Sequence, residues 1–441
     1  MPIGNLVDRR SLQLSKEELL FFESCGTQVC VDSSFTKYFM PKNPLIANQP
    51  ITFEFNSGDG FFDPASIKLR TRFQIVRNDG GALVCDAADG QIARDFCSVI
   101  NYISQTFINQ VRLWANGKLI FDSGDGYMHR AYLETLLGSS EDQKRTLLEA
   151  GGWLNDDPDN MDVVGNEGAE NRAQWTANSR EFEVIGGFAI DLFNQPKYLP
   201  NRTTFMLELY KAPDNLILLS DRNHEYRLRV TNCVLIARTV EPTKSLLMAF
   251  EKQLLSTPIK YPLRRTIYKI LPIHALGNSL PDTHVYTGIL PRKLVLAFVN
   301  QESRQGNYAL NPFNYQHFFI SRLVVRCGNQ TIPLMGMDID MNLGRFKEPY
   351  TMLHEATQFD DKTCGITMKQ FINGMFILII DTTPDRSSAS PVFQVQRQGT
   401  VELDLRLQNP LVAPMDVICC LEFDGITSCD ANRTFYSDFA A

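Results

Sequence analysis

Two tight hairpins limit what this chain can become. In QVRLWANGKLIF the dipeptide Asn116-Gly117 stands between apolar runs, and in FFISRLVVRCGNQTIPL Gly328-Asn329 does the same. Such turns take residues that tolerate a positive φ, so each predicts two antiparallel strands joined directly. The same order of elements then follows each hairpin. A helical stretch comes first (GYMHRAYLETLL, later EPYTMLHEATQ), then an apolar strand (FAIDLF within FEVIGGFAIDLF, later MFILIIDTT). TTFMLELYK and TNCVLIART close the first series, GTVELDLRL and MDVICCLEF the second. Counterparts lie about 185 to 210 residues apart with negligible identity, so what repeats is architecture. Strands also precede each hairpin: ITFEF and IKLRTRFQIV in the first half, RTIYKILPI and RKLVLAFVN in the second. The expected fold is all-β with helical insertions, as two tandem eight-stranded jelly rolls, each of two packed four-stranded sheets.

The stretch EPTKSLLMAFEKQLLSTPIKYPLRR separates the halves. Pro242 opens it, a helix is predicted from Lys244 to Leu255, and Pro258 and Pro262 close it, which is the pattern of a connector. The expected division is an N-terminal arm over 1–48, a first jelly roll over 49–241, a linker over 242–262, a second jelly roll over 263–425 and a C-terminal tail over 426–441. The arm mixes Arg9, Arg10, Lys16 and Lys37 with Asp8, Glu17, Glu18, Glu23 and Asp32, and SKEELLFFE (15–23) predicts a short helix. It reads as a segment that docks on a neighbouring surface, not as a basic tail. The first half is longer by an insertion over about 127–180, helical and then acidic. Sandwiches take insertions at their loop ends, so this one is expected as a loop-end decoration of the first roll. There Trp153 and Trp175 would be surface residues able to meet a receptor.

Apolar residues make up 44% of the chain and charged ones 21%, with 29 Phe and 14 Tyr, a composition suited to pleated, half-buried surfaces. A net charge of −7 argues against a protein that coats nucleic acid with its own surface. The opening MPIGNLVDRRSLQ lacks the apolar core of a signal peptide, so an intracellular product is expected, its ten cysteines reduced and mostly buried. The longest apolar run, MFILII (375–380), is too short to span a bilayer.

Motifs for chemistry are sought without result. The six histidines form no metal-ligand spacing, and Cys25 and Cys30 are read as two inert thiols. DIDMNLGRFKEP opens like a calcium loop at Asp338, Asp340 and Asn342. It has Leu343 where the glycine is needed and Pro349 where the glutamate is needed, so it is read as a polar loop. NDDPDNMD (155–162) is read as a solvated loop tip. There is no phosphate-binding loop and no nucleophile elbow. No cofactor and no catalytic residue are assigned. YPLRR is the densest basic motif away from the termini. Arg264 and Arg265 are either one solvated and one paired arginine or an ion pair across a domain or subunit contact, and with Tyr261 and Pro262 they are the candidate assembly residues.

HRAYLETLLGSSEDQKRTLLEAGGW, DLFNQPKYLPNRTTFMLEL, KYPLRRTIYKI and GILPRKLVLAFVNQESRQGNYALNPFNYQHFFISRLVVRCGNQTIP resemble landmarks of one protein group. That group is the double jelly-roll, hexon-like major capsid proteins of Polinton/Maverick elements and adintovirus-type viruses. The resemblance runs from about residue 50 to 340 and weakens toward the C-terminus; the arm matches nothing in it. It implies two jelly rolls side by side, strands perpendicular to a capsid shell, and a homotrimer of pseudo-hexagonal outline in an icosahedral capsid. It also implies neighbouring capsomers and penton or minor capsid proteins as partners, contact with genome DNA only through a separate basic protein, a place in the virion after assembly inside the host cell, and no enzymatic activity. Weighed against it are a lectin-like carbohydrate-binding β-sandwich, a glycan-stripping amidase on the same fold, and a minor capsid or penton-type protein.

Overall fold

The structure, a computed structural model, describes residues 26–46, 49–84, 95–163, 165–220, 225–358 and 363–437. The helix expected over 15–23, Cys25, Cys85 and residues 438–441 lie outside them.

The first half has β1 (Val31–Phe39), β2 (Ile51–Asn56), β3 (Phe61–Arg77), β4 (Cys97–Val99), β5 (Ile108–Ala115), β6 (Lys118–Asp122), β7 (Phe182–Gly186), β8 (Thr204–Lys211), β9 (Leu218–Ser220) and β10 (Tyr226–Pro242). One sheet runs β1-β10-β3-β7, the other β2-β8-β5-β6, and β4 pairs with β9 apart from both. The second half has β11 (Ile259–Ile273), β12 (Ser279–Ile289), β13 (Lys293–Asn300), β14 (Ile320–Cys327), β15 (Gln330–Asp338), β16 (Ile377–Asp381), β17 (Gln398–Leu407), β18 (Met415–Cys429) and β19 (Phe435–Ser437). Its sheets run β11-β18-β13-β16, with β19 on β18, and β12-β17-β14-β15. Set aside β4, β9 and β19, and both halves have one wiring: first-eighth-third-sixth strand in one sheet, second-seventh-fourth-fifth in the other. This is the jelly roll, made twice.

Local sequence explains the elements. In β2, β5 and β8 buried and accessible residues alternate, so one face of each fills the sandwich. Asn116 and Gly117 both take positive φ, 47° and 79°, which lets β5 turn straight into β6. In the second hairpin the positive φ of 60° falls on Gly328, the first turn residue. Register slips fall at different places in the two rolls. The β10–β3 ladder breaks twice, at Val230/Asn232 and Ile236/Arg238, whereas its counterpart, β13 on β18, is unbroken from Lys293↔Glu422 to Asn300↔Met415. In turn β12–β17 breaks twice where β2–β8 runs without a slip.

The sheet β11-β18-β13-β16 is unusual in being covered on both faces. β13, β16 and β18 are buried almost throughout, as their continuous apolar runs require. Helix Lys347–Thr357 packs on β16, and the first roll's insertion covers much of the rest.

Three expected boundaries move and one expected strand is absent. Residues 31–39, placed in the arm, form β1, because their backbone completes the edge of the first sheet beside β10. The final stretch is not a tail: β18 continues to Cys429, and Phe435–Ser437 pairs with it as β19. The connector helix is Lys244–Leu254, and β11 already begins at Ile259, so Tyr261 and Pro262 are strand residues. Pro262 is tolerated there because β11 is an edge strand. FAIDLF is not a strand. Beyond Gly186 the backbone finds side-chain partners, Gln105 donating to the Gly187 carbonyl and the Ala189 amide donating to Tyr127 at 3.0 Å, so no neighbouring strand is needed.

Candidate functional site

The insertion after β6 is not an exposed ornament. Its first helix, Tyr127–Gly138, has nine of its twelve residues buried, which requires apolar cover on all sides. The cover comes from both rolls. The His129 ring stacks on Tyr268 of β11 at 6.2 Å and meets Phe313 edge-on at 5.6 Å. Tyr132 lies flat on Phe313 with centroids 4.0 Å apart and is stacked on Trp153 at 5.1 Å, so a ladder of three rings crosses the junction. Trp153 is 1% exposed and Trp175 half-buried against Phe182 at 6.2 Å. Against the expectation of a surface position, Trp153 packs between Tyr102 and Tyr132, and Trp175 lies partly covered beside Phe182 of β7.

Polar groups then fix the angle at which the helix lies. Arg130, 3% exposed, bonds Glu134 at 2.7 Å, pairs with Asp191 of the first roll, and donates to the Thr266 carbonyl of β11 at 3.2 Å. Burial pushes the Asp191 carboxyl up to about 6 against the pull of Arg130. His129 moves the other way, to about 3, because burial disfavours the imidazolium and the Arg304 charge adds to that. Its Nδ1 lies 3.3 Å from the Tyr315 hydroxyl, and its Nε2 has no hydrogen-bond partner among the described residues. Behind the helix Arg172 is fully buried, donating to the carbonyls of Val99 (2.9 Å) and Leu154 (3.1 Å) and pairing with Asp156 at 2.7 Å.

The acidic run 155–162, expected as a solvated loop tip, is a docking strip. Asp159 pairs with Lys369 at 2.6 Å and accepts from Asn373 at 2.6 Å, while Asp162 accepts from the Asn311 amide (2.8 Å) and the Asn314 side chain (2.6 Å). Asp159 and Asp162 thus meet donors of the second roll, while Asp156 turns inward to Arg172.

YPLRR divides by strand alternation. Tyr261 is buried, its hydroxyl donating to the Tyr198 carbonyl at 3.0 Å and its ring stacked on Phe435 at 6.2 Å, whereas Pro262 is exposed. Arg264 donates to the Ser390 carbonyl and stands 3.8 Å from Glu422, which Lys293 also pairs at 3.0 Å. Arg265 instead lines a groove of 580 Å³ between β6 of the first roll and β11 of the second. The motif therefore serves contacts inside the chain, both within the second roll and across the junction. At the far end of this groove Asn116 donates to the Arg433 carbonyl at 3.1 Å, and Lys118 sits over the Tyr436 ring at 4.4 Å. Arg433 itself pairs with Glu251 of the connector helix at 2.6 Å and donates to Asn201 Oδ1 of the first roll at 2.8 Å.

The sequence reading missed Arg130, Tyr132, Arg172 and Phe313. A signal was present: LVLAFV, MFILII and VICCL have no polar face, so something had to cover the outer side of their sheet, and the helix-rich insertion was the available material. The Asp338 loop is the polar loop expected, with Asp340 accepting from the Leu343 amide at 3.0 Å. Of the cysteines described, Cys30 is exposed and seven are buried, all as free thiols. Among the described residues no three His, Cys, Asp or Glu side chains converge as a metal site.

No protein-family model matches the chain. In sequence it is similar to an uncharacterized protein of Caenorhabditis elegans, 25% identical over 423 residues, 92% of this chain and 98% of that one. In fold it is similar to a chain of the Sputnik virophage (TM-score 0.65, 11% identity, 99% of this chain and 95% of that chain). The mavirus major capsid protein superposes with TM-score 0.62 at 10% identity, covering 99% and 97%. A chain of the PBCV-1 virus capsid gives 0.61 at 8%, covering 96% and 100%. These likenesses span both rolls and the insertion together, and with the duplicated wiring they establish the fold of this chain as a double jelly roll.

Proposed function

We propose that the chain is a major capsid protein, the structural tile of an icosahedral double-stranded DNA virus or virus-like element. The observation that carries this is the strand order repeated in one chain and locked at a fixed junction. Three such chains supply six similar sides, which is what a hexagonally packed shell asks of its tiles. The fold likeness to the mavirus major capsid protein over nearly the whole of both chains supports the same reading. A nearly full-length relative in a nematode suits a gene carried by an integrated element of the Polinton/Maverick kind. On this reading the tile is a homotrimer that meets neighbouring capsomers and penton or minor capsid proteins. It reaches the genome only through other proteins, resides in the virion and has no catalytic role. The lectin-like alternative asks for Trp and Tyr exposed at loop tips; all three tryptophans are buried or half-buried, and Tyr198 is the exposed loop tyrosine.

Light scattering of the purified chain tests the proposal. The expected mass is about 150 kDa, three chains of 50.0 kDa, with triangular or hexagonal outlines in negative stain. A chain that stays near 50 kDa at millimolar concentration contradicts it.

A further inference from the structure

The junction inside the chain is a template for a contact the chain leaves open. Within one molecule the fifth strand of the first roll, β6, is the free edge of its sheet and faces β11, the first strand and free edge of the second roll. The matching elements at the two ends of the molecule are β15, fifth strand and edge of the second roll, and β1, first strand and edge of the first roll. Neither covers the other, and each carries apolar residues that its counterpart keeps under cover. On β1, Phe35 is 52% and Tyr38 60% exposed, with Met40 just beyond at 65%. The start of the connector helix adjoins this edge, the Thr243 amide donating to the Cys30 carbonyl at 3.0 Å, and adds Met248 at 70%.

β15 differs from β6 in one respect. It has nine residues where β6 has five. The additional length is Pro333-Leu334-Met335-Gly336, a bulge between the pairs Val325↔Ile332 and Leu323↔Met337. Both strands then end on the same ion pair with the strand before, Arg112–Asp122 at 3.0 Å and Arg322–Asp338 at 3.6 Å. The bulge pushes Leu334 and Met335 into solvent, at 85% and 86% exposure. An edge strand that carries an apolar knob of this kind is a docking element. The junction inside the chain has a 580 Å³ groove beside β6, and a longer β15 is suited to fill the equivalent space.

We propose that β15 of one chain docks along β1 and the adjoining connector helix of a second copy, with Leu334 and Met335 as the plug. The occupant is another copy because the contact continues an arrangement the chain already makes between its own rolls. A contact of unlike faces runs head to tail, and it closes when successive rolls have turned through a full circle. The proposal rests on the trimeric tile above and names the faces that meet in it.

Two full-length variants test it, L334D/M335D on the plug and F35D/Y38D on the edge. All four residues are solvent-exposed, so each variant is expected to keep its melting temperature within a few degrees of wild type. Each alone is expected to lose the trimer and run as a monomer. Mixed in equal amounts, each supplies the intact face the other lacks, so one contact forms and the ring cannot close, giving a species of about 100 kDa. A wild-type trimer that persists in both variants overturns this interface and leaves the capsid tile standing. A wild-type chain that is monomeric at millimolar concentration overturns both. Should both variants be monomeric but fail to form the mixed dimer, the head-to-tail pairing is wrong.

Discussion

His129 is the residue whose charge the junction decides. Its pKa falls from 6.5 to about 3 because the ring is buried among Tyr268, Phe313 and Tyr315 with the Arg304 charge near. Between those values the unfolded chain binds a proton that the folded chain refuses. The stability from this site is therefore complete above pH 6.5 and lost as pH falls toward 3. At pH 5 the loss is about 2 kcal/mol. Denaturant midpoints of wild type and His129→Gln, compared at pH 7 and pH 5, are expected to shift relative to each other by that amount, against the wild type in acid. A difference that does not move with pH would show the imidazole charged, or solvated, in the fold. Asp191 works in the opposite sense, its raised carboxyl favouring the folded state as pH falls below about 6, so the comparison with a His129 variant is needed to isolate one from the other.

Among elements, the turns and the insertion carry different amounts of tertiary information. Gly117 (φ 79°) has open space where a side chain would stand, so Gly117→Ala is expected to cost only the left-handed backbone, about 1–2 kcal/mol. Gly126 (φ 142°) precedes the buried helix, and a Cβ there would collide with the Tyr268 ring of the other roll. Gly126→Ala is expected to cost about 1–3 kcal/mol more than Gly117→Ala, read from thermal or denaturant melts of the two variants. Equal losses would mean that Tyr268 moves aside freely. The same contrast explains what was legible in the sequence. Strands and hairpins were readable because a period of two and an Asn-Gly turn are local signals. The arm boundary, FAIDLF and the acidic run were misread because each is decided by a distant partner: β10 for β1, Gln105 and Tyr127 for the backbone at 187–189, and Lys369, Asn311 and Asn314 for Asp159 and Asp162. Trp153 and Trp175 were misplaced for the same reason. No pattern inside an insertion states which surface it will cover.

At the scale of the molecule the contacts that join the two rolls include the ring ladder through Tyr132, the acidic strip against Lys369, and the Arg433 pairing that holds the connector helix and Asn201 together. The ring ladder and the Arg433 pairing bury groups that either roll alone would leave uncovered. Calorimetry of the full chain is accordingly expected to give one cooperative transition, and Arg433→Ala is expected to lower it without splitting it; two separate peaks in the wild type would mean that the rolls fold independently. A rigid junction also suits the proposed role, since the relation between the rolls of one chain is then set before any second copy arrives.

A chain that builds one wiring twice runs a particular risk during folding: a strand from one half can enter the vacant place of its twin. The two broken registers in the β10–β3 ladder, against the unbroken run of its counterpart β13 on β18, oppose that exchange. β18 laid in the place of β10 would meet β3 with its kinks unmatched, and the side chains between the two breaks would face the wrong way. Irregularities set at different places in the two copies thus give the folding chain two distinct instructions.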